Sequence, residues 1–124
     1  MKEIFIIASG GAVGAVFRYL FSNSIYSLFG RAFPYGTLGV NILGSFFIGV
    51  FFVLLTEKMT LGSDFRSFIM IGLLGAFTTF STFSLETLLL IQEGLLIKAL
   101  INIFLSVLLC LFATWLGIIL TRGL

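Results

Sequence analysis

Phe80 and Phe83 stand three residues apart in "GAFTTFSTFS" (75–84), interleaved with Thr78, Thr79, Ser81, Thr82 and Ser84. Side chains three apart share one face of a helix. An aromatic ring has a negative face and a positive edge, and a hydroxyl donates a hydrogen bond. Ring edges and hydroxyls turned toward one path can replace the water of a small anion without a fixed cation to trap it. Moderate binding of that kind is what passage requires. The plainer use of phenylalanine is packing or lipid contact, and with 16 in the chain most must serve it.

Two further polar stripes recur at steps of four: Thr37, Asn41 and Ser45, then Asn102, Ser106, Cys110 and Thr114. Each such step overshoots a helical turn by about 40°, so each stripe drifts slowly but stays largely on one side. Two stripes on separate helices imply a polar path or a polar seam between helices. Taken singly, Ser45, Cys110 and Thr114 read as helix–helix glue. Asn41 and Asn102 are costlier to bury, and their amides can donate to an anion, so they are the better functional candidates. Glu86 closes the hydroxyl-rich stretch and is awkward beside an anion path. It can instead accept from hydroxyls or carry a proton. Arg18 lies about fifteen residues into the first apolar run and can snorkel to the interface. Attraction of anions into a vestibule is its secondary reading.

The elements that must position these residues are membrane helices. Of 124 residues, 60% are hydrophobic and 10% charged, too few charges to cover a water-facing domain. The first apolar run continues well past Ala8 and three more follow, which favours a span over a signal peptide. Four windows are long enough to cross a bilayer at roughly 20 residues each: 4–21, 36–56, 68–91 and 95–120. The connections are "SNSIYSLFGRAFPY", "EKMTLGSDFR" and a short "QEGL". The expected fold is all-α, one transmembrane domain over 1–124, with Pro34 placed for a helix start. Gly10 and Gly14 form a GxxxG pair, and Ser45 with Gly49 a small-xxx-small pair, both marks of close helix contact. In the third span Gly72 and Gly75 precede the hydroxyl-rich turns. Glycine permits a break there, with the hydroxyls meeting the released backbone groups. Freed carbonyls suit a cation and freed N–H groups an anion.

Charge is nearly balanced between the two sides. Lys2, Lys58, Arg66 and Arg122 fall on one; Arg18, Arg31 and Lys98 fall on the other, and these are all seven basic residues. Four against three is a weak positive-inside bias, so insertion in both orientations and insertion in one are evenly matched readings. Four short helices do not easily enclose a water-lined path alone, and an antiparallel homodimer fits the balance. There is no histidine and Cys110 is the only cysteine. An intrachain disulfide and a His/Cys metal cluster are excluded. With no nucleophile–base pair or phosphate loop either, an enzyme is not expected, nor is a nucleic-acid partner.

"GGAVGAVFRY" (10–19), "GTLGVNILGSFFIG" (36–49) and "GLLGAFTTFSTFSLE" (72–86) closely resemble the Fluc/CrcB family of fluoride channels, and the resemblance covers all four spans. It implies a dual-topology antiparallel homodimer in the bacterial plasma membrane, passing fluoride out passively through two narrow pores. By resemblance, Phe80 and Phe83 match the ring pair along the fluoride path. Asn41 matches a pore asparagine that orients those rings and contacts the anion. Thr37, Ser81 and Thr82 match polar positions near the pore, and Glu86 an acidic position of the motif. Asn102, Ser106 and Cys110 match a polar track on the fourth helix, where cysteine is a weaker donor than serine. Gly75 and Thr78 match break positions whose backbone carbonyls hold a structural sodium ion at the dimer centre. Two rivals remain. A small drug/proton antiporter would need an acidic residue in the first span, which has none beyond Glu3. A non-transporting membrane subunit would show no anion flux.

Overall fold

The computed structural model describes residues 1–58 and 61–124. Within the connection read as "EKMTLGSDFR", Met59 and Thr60 lie outside the described residues. Helix α1 covers Lys2–Phe29. Helix α2 covers Tyr35–Val53 and widens into a π turn over Leu54–Lys58. The third span is assembled from α3 (Ser63–Arg66), a π segment (Ser67–Leu73), α4 (Leu74–Phe77) and α5 (Phe80–Gln92). Helix α6 covers Leu96–Arg122. All four spans are long and apolar enough to cross a membrane. Their outer faces carry exposed Phe5, Phe17, Phe104, Leu111, Phe112 and Trp115, as an outer surface solvated by acyl chains requires. The protein is a multi-pass membrane protein.

The first connection is shorter than its polarity suggests. Residues 22–29 continue α1, because Ser24 and Ser27 return their hydroxyls to the carbonyls of Leu20 and Ser24, each at 2.8 Å. A hydroxyl bonded to its own helix does not break it. The helix ends at Gly30, whose φ of +82° is open to glycine. The third connection is a Schellman turn: Leu95 N–H donates to the Leu90 carbonyl at 2.9 Å and Gly94 N–H to that of Ile91 at 3.0 Å. These two ends hold α5 and α6 antiparallel with only three residues between them.

Packing follows the small residues. A side chain at Gly10 would strike the Phe68 carbonyl, and one at Gly14 the Leu73 carbonyl, so α1 lies directly against the π segment. The α2–α6 crossing uses Gly49 against Thr114 and Gly117 against Phe46, again backbone on backbone. Thr114 donates to the Ser45 carbonyl at 3.0 Å. Association inside lipid relies on such close approach and on interhelical hydrogen bonds, since burial from water supplies no drive there. Glue is therefore what Thr114 does. At the ends, Lys2 pairs with Asp64 at 2.8 Å and Arg122 with Glu57 at 2.7 Å.

Candidate functional site

The third helix is interrupted near its middle, and the glycines do not make the interruption. Gly72 lies in the π segment and Gly75 inside α4. The break falls at Thr78 (φ −83°, ψ 156°) and Thr79 (φ −149°, ψ 112°), both extended. Negative φ of this kind is open to any residue, and β-branched threonine is at ease in it. Gly72 serves close packing instead: a Cβ there would come within 2.7 Å of the Ile7 carbonyl.

Asn41 holds the break open. Its Oδ1 accepts from Thr79 N–H at 2.7 Å, and its Nδ2 donates to the Thr79 carbonyl at 3.0 Å. One amide side chain thus brackets both backbone groups of a residue 38 positions away. Thr79 is buried, and in its turn its hydroxyl caps α5 by accepting from Thr82 N–H at 3.2 Å. The Thr78 hydroxyl donates to the Leu74 carbonyl at 3.1 Å. Two carbonyls lose their helical partners as a result. Thr79 N–H, which a continuous helix would give to Gly75, goes to Asn41. Thr82 N–H, which would go to Thr78, goes to the Thr79 hydroxyl. The two halves present opposite partial charges at the break, carbonyls from α4 and N–H groups from α5.

A cavity of about 440 Å³ opens beside the break. Asn41, Gly75, Thr78, Phe80, Phe83, Ser106 and Cys110 all line it, and so does Thr79. The Phe80 and Phe83 rings lie 5.2 Å apart, tilted by 49°. Phe83 is buried, whereas Phe80 is 77% exposed at the open side. Ser106 is buried, and its hydroxyl finds no partner among the described residues. A buried polar atom left unpaired beside a cavity points to an occupant.

Four of the expected pore residues are not in that wall. Ser81 is exposed, with its hydroxyl 3.3 Å from that of Thr79, and Thr82 accepts from the Thr79 hydroxyl at 3.0 Å. Both support the cap. Asn102, buried, donates to the Thr87 hydroxyl at 2.9 Å, and Thr87 donates to the Phe83 carbonyl at 2.7 Å. It braces the backbone that carries a ring. Thr37 lies higher on α2, with its hydroxyl 3.5 Å from that of Tyr26. Tyr26 donates to Glu86 Oε2 at 2.9 Å, while Glu86 Oε1 is buried with no partner among the described residues. Glu86 and Tyr26 line a second cavity, about 390 Å³, with Arg31 and Lys98 at its mouth. Arg18 is half-buried on α1 and lines neither of these two cavities. The basic residues that line the second cavity are Arg31, in the connection after α1, and Lys98, in the first turn of α6. Thr87 and Tyr26 are residues that sequence reasoning passed over, and Thr79 is read there only as one of a series of hydroxyls. Only Thr79 left a signal, as a hydroxyl three residues ahead of another in the pattern of an N-cap.

A four-span protein with one helix broken at membrane depth, its free backbone groups and polar side chains converging on a cavity, has the architecture of ion pathways through membranes. The sequence profile of the family described as "CrcB-like protein, Camphor Resistance (CrcB)" matches residues 5–118, and the chain belongs to this family. It is 52% identical over 120 residues to a protein of Magnetococcus marinus, covering 97% of this chain and 98% of that one. It is 51% identical over 117 residues to one of Shewanella pealeana, covering 94% of each. It is 50% identical over 122 residues to one of Methylococcus capsulatus, covering 98% of this chain but only 54% of that longer protein. All three relatives carry the name "Fluoride-specific ion channel FluC".

Proposed function

We propose that the chain is a fluoride-selective channel of the bacterial plasma membrane, passing fluoride outward passively, and that it works as an antiparallel homodimer with two pores. The observation that carries the reading is the Asn41 bracket on Thr79, which holds a helix open beside Phe80 and Phe83. Fluoride is small and holds water tightly, so a selective path must offer close, numerous donors. Around the cavity these are the free hydroxyl of Ser106, the weaker thiol of Cys110 and the second N–H of Asn41. Ring edges of Phe80 and Phe83 add attraction without a fixed cation, so the anion binds and leaves. Arg31 and Lys98 line the second cavity with Glu86 and Glu93, and their positive charges offset those carboxylates on the anion's way in.

A second copy closes what one copy leaves open. Phe80 stands exposed, and Gly75 and Thr78, whose carbonyls lose their helical partners at the break, line the same open cavity. Oxygen donors of this type suit a hard monovalent cation, so the residues present fit a sodium ion shared between two copies. Held there by these carbonyls, a sodium ion would supply a fixed positive charge. Antiporter chemistry is disfavoured, because Glu3, the first span's one carboxylate, accepts from Ser67 at 3.0 Å at the end of the bundle.

The test is fluoride efflux from liposomes holding only this protein, with chloride as control and no pH gradient. Rapid fluoride efflux with chloride retained is expected. No efflux, or efflux only with a proton gradient, would overturn the reading. Particle mass in detergent should correspond to two copies, and labelling of a cysteine placed at Lys58 should occur from both sides of the membrane.

A further inference from the structure

The two cavities share no lining residue. What separates them is one helical turn on each of two elements, Thr37 to Asn41 on α2 and Phe83 to Glu86 on α5. Tyr26 stands at this neck. Its hydroxyl reaches Glu86 Oε2 at 2.9 Å, and the Thr37 hydroxyl lies 3.5 Å from it. Two neighbours hold the ring. Arg31 Cζ lies 4.4 Å over one face. Gly36 packs against the ring's Cδ2 and Cε2 atoms so closely that an added Cβ would come within 2.6 Å of Tyr26 Cδ2. A tyrosine gripped in this way has one orientation, and that orientation aims its hydroxyl at a carboxylate 60 residues further along the chain.

Resting on the fluoride reading, we infer that Tyr26 is a positioning residue that pins Glu86 at the neck between vestibule and pore, keeping the carboxylate out of the anion's way. A carboxylate at this point is otherwise hard to reconcile with anion flow. Its Oε1 has no partner among the described residues, so the tyrosine hydroxyl is the donor that fixes it. The phenol loads that one oxygen and sets the side chain's rotamer. Arg31, stacked on the same ring, presents the compensating positive charge to the vestibule. Removing the hydroxyl leaves the carboxylate free to swing into the neck, where it repels the passing anion.

The test is fluoride efflux from liposomes for the full-length protein and three variants: Tyr26→Phe, Glu86→Gln and both together. Tyr26→Phe keeps the ring between Arg31 and Gly36, and elution as a single species checks its fold. It is expected to lower flux at sub-saturating fluoride by about tenfold, the scale of one unscreened charge near the path. Adding Glu86→Gln removes that charge and is expected to recover most of the loss. A general packing role for Tyr26 would not respond to the charge at position 86. Wild-type flux from Tyr26→Phe overturns the inference, and so does a loss that Glu86→Gln leaves uncorrected. If Tyr26→Phe does not fold, Tyr26→Trp, which keeps an aromatic ring over Gly36 and loses the phenol, must show the same rescue. Unmodified protein that passes no fluoride is a failure of the channel reading itself, separate from these outcomes.

Discussion

Asn41→Leu keeps side-chain size and deletes both hydrogen bonds to Thr79, those of 2.7 and 3.0 Å. A buried polar group stripped of its partner costs about 1–3 kcal/mol, so two groups give roughly 2–6 kcal/mol. The cavity lets water reach Thr79 once Asn41 is gone, which places the loss at the low end. About 2 kcal/mol corresponds to roughly a thirtyfold shift in the local opening equilibrium. Amide exchange of Thr79, followed by NMR in nanodiscs, is expected to speed up by that order, and fluoride efflux to fall. Asn41→Asp separates the bracket from the path. It keeps an acceptor for Thr79 N–H but sets a carboxylate oxygen against the Thr79 carbonyl. Its amide should stay protected while its flux falls, because a negative charge now lines the cavity. Unchanged Thr79 exchange in Asn41→Leu would refute the idea that this side chain holds the break. Full flux in both variants would remove Asn41 from the path.

Phe80→Ile should depress fluoride efflux while helix content stays unchanged, since within one copy the ring is exposed and only the proposed second copy would cover it; circular dichroism beside the flux assay checks both. Ser106→Ala removes a buried hydroxyl that has no partner, so the melting temperature should hold or rise while flux falls. A lower melting temperature would show the hydroxyl to be structural. Gly14→Leu drives a side chain into the Leu73 carbonyl and should separate α1 from the third span, read as loss of a monodisperse peak in detergent.

Much of this protein is legible along the chain because lipid imposes local rules. Apolar runs of spanning length, glycines at steps of four and polar stripes at steps of four each report on a single helix and its faces. Gly10, Gly14 and Gly49 do what their spacing says, and Asn41, Ser106, Cys110 and the two phenylalanines meet in one cavity. A break in the third span was readable too, from hydroxyls that can satisfy a freed backbone.

Its address was not. Glycine is the residue that permits a break, yet Gly75 is helical and Thr78 and Thr79 carry the extended geometry. Threonine accepts helical and extended backbone alike, so local preference leaves the choice open. Asn41, on another helix, makes it by taking Thr79's N–H and C=O for itself. The same holds for Tyr26 with Glu86 and for Asn102 with Thr87. A hydrogen bond between helices depends on how they are rotated and how closely they approach. Those quantities come from packing of the whole bundle, and no stretch of sequence carries them.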